Sequence, residues 1–131
     1  MRIHNKVTLV ELLEEVVIIG VLVAISIPIF TSQLEKAREA TDLANIRSAY
    51  AECSAAVLTG DKSNGVTYTA GASGAASSAS KDVVLTQKVD GWVTANPTCG
   101  KTTLGDDIAK AGKTVNVKVT GDGKAAVITV K

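Results

Sequence analysis

An α+β fold, one long N-terminal α-helix packed on a small antiparallel β-sheet, is the architecture the sequence predicts. Three observations carry it. Helical patterning runs unbroken from the apolar residues 7–30 into an amphipathic stretch, residues 31–58. Past Gly60 the composition turns to Gly, Ala, Ser, Thr and Val, which suits short strands and turns. Near the C-terminus two alternating apolar runs flank Gly121-Asp122-Gly123, the pattern of a β-hairpin.

The chain opens on a short basic stretch, MRIHNK, followed by VTLVELLEEVVIIGVLVAISIPIF, residues 7–30. A secretory signal peptide would show a small-residue cleavage site after its apolar region; here Phe30 leads directly into a charged helix pattern, so the apolar segment is expected to stay attached. As a helix, the uncharged residues 16–30 are about 22 Å long, short of a hydrocarbon core of roughly 30 Å. Adding residues 7–15 makes about 36 Å but brings in Glu11, Glu14 and Glu15. A charge at the bilayer centre costs about 3 kcal/mol or more on insertion scales, less near the headgroups. A span therefore requires these acids at one interface, with Arg2 and Lys6 on the cytoplasmic side.

Residues 31–58 carry two neighbouring stripes. Leu34, Ala37, Thr41, Ala44, Ser48, Ala51, Ala55 and Leu58 recur at spacings of three and four, and Leu43, Ile46, Tyr50, Cys53 and Val57 form the second. Glu35, Lys36, Arg38, Glu39, Asp42 and Arg47 fill the remaining surface, with Glu35–Arg38 a favourable pair. One helix is expected over residues 7–58, bent or opened near Gly20 and Pro28 and capped by Gly60.

Residues 65–80 read as a surface loop, residues 83–89 and 91–95 as strands, and residues 96–100 as a turn. In the hairpin, Val115, Val117 and Val119 can face Ala126, Ile128 and Val130. The sheet's apolar face needs a cover, which the amphipathic helix supplies. The layout is a leader at 1–6, an apolar helix half at 7–30, and a globular region at 31–131 made of helix 31–58, loop 59–82 and sheet 83–131.

Net charge is +1 and aromatic content 3%, which argues against a nucleic-acid partner. Cys53 and Cys99 match no CxxC pattern, and His4 is the only histidine. A Cys53–Cys99 disulfide is favoured over two free buried thiols; closing that loop is worth about 4 kcal/mol. No nucleophile–base pair and no metal-ligand set is evident, so no catalytic residue, metal or cofactor is assigned and a non-enzymatic protein is expected. Trp92 reads as a core residue, Asp106-Asp107 as a solvated turn, and Lys110, Lys113, Lys118, Lys124 and Lys131 as a solvated face.

Thr8-Leu9-Val10-Glu11-Leu12-Leu13, then Ile18-Ile19-Gly20 and Ala24-Ile25-Ser26-Ile27-Pro28, resemble the N-terminal signature of type IV pilins and the related pseudopilins. Thr8 and Glu11 also fit an ordinary capping box, but the basic leader, the apolar span and Pro28 extend the likeness over residues 6–30. The resemblance implies cleavage between Lys6 and Val7 by a prepilin peptidase, N-methylation of Val7, and Glu11 pairing with the terminal amine of a neighbouring subunit. It further implies a homo-polymer through the N-terminal helices, stored in inner-membrane lipid and then added to an extracellular filament by an assembly machine. Adhesion, motility or DNA uptake would be its uses; a pseudopilin of a secretion or competence system is the alternative within the class, and a single-pass anchored binding module the alternative outside it. Three positions depart from the family pattern. Lys6 stands where the family has glycine, and Glu14 and Glu15 stand where it has Val or Ile.

Overall fold

The computed structural model describes residues 2–131, with side chains from Thr8 onward. Helix α1 spans Arg2–Thr59 and continues through both Gly20 and Pro28. It stops where expected: Gly60 takes a left-handed φ of 75° and its N–H closes on Ala56 O at 2.7 Å. The chain forms two compact units divided between Leu34 and Glu35, the first consisting of helix alone and the second of the rest of α1 with the sheet.

In the second unit, β1 (Thr67–Thr69), β2 (Ser78–Val84), β5 (Thr114–Thr120) and β6 (Val127–Val130) form one antiparallel sheet in the order β1-β2-β5-β6. Between β2 and β5, β3 (Thr98–Cys99) and β4 (Thr102–Thr103) make a separate two-stranded ladder. The α+β class is therefore as the sequence predicts. So is the hairpin: Val115 pairs with Val130 and Val117 with Ile128, while Val119 and Ala126 share a core cluster.

Three elements differ from expectation, for reasons of backbone hydrogen bonding. β1 and the start of β2 lie inside the expected 65–80 loop; their Thr, Ser and Ala residues give little apolar alternation, yet Ala79 is 1% exposed and pairs with Val119. β2 ends at Val84 rather than Val89, because the amides of Thr86 and Gln87 turn to the carboxylate of Asp42. Residues 91–95 form no strand, since the amides of Val93 and Thr94 bind Glu39.

The core lies between α1 and the sheet. Leu43, Ile46 and Ala49 meet Val83, Val115 and Val117, and one turn further on Cys53 and Ala56 meet Ala79 and Val119. Of the two sequence stripes, the one built on Leu43, Ile46 and Cys53 is buried. The other, Ala37, Thr41, Ala44, Ser48, Ala51 and Ala55, stays exposed on α1.

Tyr50 packs beside the β3–β4 turn so closely that a Cβ on Gly100 would sit 2.6 Å from its ring, and Gly100 has a φ of 60°. Gly100→Ala is expected to destabilise the fold by roughly 2 kcal/mol or more, combining left-handed strain with overpacking. Gly112→Ala has the same backbone strain but open space, and should cost only about 1 kcal/mol. Urea denaturation of the two variants measures the difference.

Candidate functional site

Between Leu9 and Phe30, fifteen large apolar side chains are 49% to 67% exposed. Across residues Thr8–Thr59, the most apolar window has a mean hydropathy of 2.4 and no buried residue. This is the one helix among the described residues long and apolar enough to cross a membrane. Two of its hydroxyls are internally satisfied: Ser26 donates to Leu22 O at 2.7 Å and Thr31 to Ile27 O at 3.0 Å, on either side of Pro28. A hydroxyl bonded to its own helix does not need water, so neither opposes an apolar environment.

Glu11, Glu14 and Glu15 project from this stretch and are exposed. None takes part in an ion pair among the described residues. Gly20 has open space where a Cβ would stand, so no contact within the first unit requires glycine there. The proposed junction residues Lys6 and Val7 have side chains outside the described residues.

The second unit contains a device the sequence reading missed. Three acids on successive turns of α1 (Glu35, Glu39 and Asp42) each accept two successive backbone amides from residues 86–94. Asp42 takes Thr86 N at 2.8 Å and Gln87 N at 2.9 Å, together with the Thr86 hydroxyl. Glu35 Oε1 takes Lys88 N at 2.8 Å and Val89 N at 3.0 Å. Glu39 takes Val93 N at 2.7 Å and Thr94 N at 2.8 Å. Asp42 is fully buried and Glu39 is 4% exposed. Hydrogen bonds to an ionised carboxylate are short and about twice as strong as neutral ones.

Electrostatics follow the geometry. Burial alone raises the pKa of Glu39, but the Thr94 and Val93 amides and the Thr94 hydroxyl outweigh it and hold the carboxyl below its ordinary value. At Glu35, burial is likewise outweighed by the amides of Val89 and Lys88 and by Arg38. The expected Glu35–Arg38 pair is present at 3.5 Å. The loop is pinned from its other side as well: Trp92 Nε1 donates to Gly105 O at 3.0 Å, and its backbone N–H to Asp106 Oδ1 at 3.2 Å.

The cysteines require a correction. Cys53 and Cys99 are free thiols rather than the expected disulfide. They belong to different core clusters and are drawn to different carbonyls, Cys53 Sγ to Val117 O at 3.7 Å and Cys99 Sγ to Ile46 O at 3.9 Å. Burial raises both pKa values, that of Cys53 to about 11, so both are neutral apolar side chains at physiological pH. Among the described residues no group of three or more His, Cys, Asp or Glu is placed to hold a metal ion.

No protein-family model, curated protein or solved structure matches this chain. The features above therefore have to be read on their own chemistry.

Removing the central carboxylate tests the clamp. Asp42→Ala leaves two amides without their acceptor and should cost about 3 kcal/mol, while Asp42→Asn, which keeps an acceptor oxygen, should cost less. Trp92, the only tryptophan, reports on the loop through its fluorescence in denaturant titrations of the detergent-solubilised chain. The clamp also predicts a pH dependence. Glu35 and Glu39 are depressed in the fold, so their contribution is complete above the ordinary value of 4.5 and is lost as pH falls through the lower folded values. Trp92 emission should hold steady above that pH and change below it, and Glu39→Gln should weaken the change.

Proposed function

We propose that this chain is the structural subunit of a type IV pilus or related pilus-like filament, a non-enzymatic protein that polymerises through its N-terminal helix. The observation that carries this reading is the first unit, a helix with fifteen exposed apolar side chains among the described residues. Burying one such side chain is worth about 1.5–3 kcal/mol, so the stretch needs lipid or other helices around it. The resemblance at Thr8 to Leu13 supplies the particular class.

On this reading the apolar half serves in turn as membrane anchor and as filament core. Removing residues 1–6 would put an ammonium group on Val7, one helical turn before Glu11. A neighbour's Glu11 meeting that ammonium would satisfy two charges that are each costly alone among apolar helices. The small uncharged side chains from Ala37 to Ala55 on the exposed side of α1 support close helix–helix approach as well. The sheet domain would then be carried outward, where adhesion, motility or DNA uptake would use it.

Negative-stain microscopy of sheared surface material, from a host that exports and assembles pilins, should show thin filaments containing this chain. Glu11→Ala should abolish them and leave a folded, membrane-held monomer, checked by circular dichroism of the membrane fraction. Single membrane-held copies from the unaltered chain, with no filament, would instead mark an anchored binding module.

A further inference from the structure

We propose that a groove beside α1, bounded by Lys36 and Arg47, receives the acidic turn Glu14–Glu15 of a second copy of this chain; the inference rests on the filament reading above. Lys36, Ala40, Leu43 and Arg47 recur at i, i+4, i+7 and i+11, so they share one face of the helix. With Val93 across from them they line an open groove of about 430 Å³. Its floor is apolar: Leu43 is 5% exposed, while Val93 leaves 62% of its surface to solvent. Its ends are basic.

Both cations lack an acid. None of the five ion pairs among the described residues involves Lys36 or Arg47. Arg47 gives only Nε, to Thr98 O at 3.1 Å, which leaves the rest of its guanidinium free to fork onto a carboxylate. Glu39 also lines the groove, but each of its oxygens is engaged, Oε2 by the Val93 amide and Oε1 by the Thr94 amide. Those same bonds hold Val93 in place as the groove's far wall.

The complementary surface is on the other unit. Glu14 and Glu15 are exposed, flanked by Leu13 and Val17, and engaged in no ion pair among the described residues. Adjacent helical residues diverge by about 100°, so two such acids suit cations at opposite ends of a groove better than a single shared charge. The apolar residues beside them, Leu13 and Val17, can cover Leu43 and Val93. A second copy is the occupant because this chain carries both halves of the match and polymerises on the reading above.

Two tests address it. Chains bearing Glu14→Cys and Lys36→Cys, distinguishably tagged and co-assembled, should join through a short bis-maleimide well above a Glu14→Cys with Thr41→Cys control. The native thiols, Cys53 at 0% and Cys99 at 1% exposure, are shielded from the reagent. Lys36→Glu should cut filament yield about tenfold, and Glu14→Lys in the same chain should restore it, as expected for a charge pair across an interface. Filaments that cross-link no better than the control, or that tolerate Lys36→Glu unchanged, overturn this contact and leave the filament reading standing. Failure of the unaltered chain to form filaments removes both.

Discussion

The structure turns on one constraint: a single helix carries two stretches that need different surroundings. From Thr8 to Leu34 the side chains are bare and, apart from three acids and a few uncharged polar groups, apolar, and water is the wrong solvent for most of them. From Glu35 onward the helix is amphipathic and becomes the largest apolar surface available to a sheet of four short strands. The second unit has no core without α1, because the inward residues Val83, Val115 and Val117 face Leu43, Ile46 and Ala49. The same continuous element therefore holds the domain together and presents the surface by which the domain would be anchored or assembled.

Holding the second unit's stretch of α1 against so small a sheet takes more than apolar contact. Residues 85–94 make no strand ladder, yet buried backbone amides must be paired. Glu35, Glu39 and Asp42 provide the acceptors, one per turn, and thereby fix a loop that would otherwise have to be solvated. The clamp reaches toward function too. By fixing Val93 and Thr94 opposite Lys36 and Arg47, Glu39 shapes the groove proposed as a subunit contact.

Much of this architecture is legible in the sequence, and the parts that are not share a cause. The helix, its glycine cap and the C-terminal hairpin follow from periodicity and turn chemistry, down to the pairing of Val117 with Ile128. β1 and the first half of β2 do not, because Thr67, Thr69, Ser78 and Ser80 lack the apolar alternation that marks a strand. The three acids read as solvated surface since their partners are backbone amides some 50 positions away, which no side-chain pattern encodes. Their spacing of four and three beside Leu43 and Ile46 was the available signal: it places carboxylates on the edge of the buried stripe. Two stripes were visible, and only the sheet's own position decides that Leu43, Ile46 and Cys53 face inward. The cysteines misled because spacing constrains pairing so weakly, whereas each thiol has a separate packing site.

Glu14 and Glu15, the oddest residues of the apolar helix, make physical sense as a boundary. Between Glu15 and Glu35 no charged residue occurs over residues 16–34, a run of nineteen. As a helix that is about 28 Å, close to the roughly 30 Å of a hydrocarbon core. The uncharged polar residues at its far end would not shorten such a span much: Thr31 is bonded to Ile27 O, and Ser32 and Gln33 would fall at its edge. Glu35, at that edge, is already engaged by Lys88, Val89 and Arg38. Acids at the near edge, with Arg2 and Lys6 on the same side, would cost little while the chain is stored in lipid. In a bundle of helices the headgroups are gone, and carboxylates at those positions need cations instead. Among the described residues Lys36 and Arg47 are unpaired cations on one helix face, so the residues that interrupt the apolar run are the ones that, on the filament reading, would fix how two copies align.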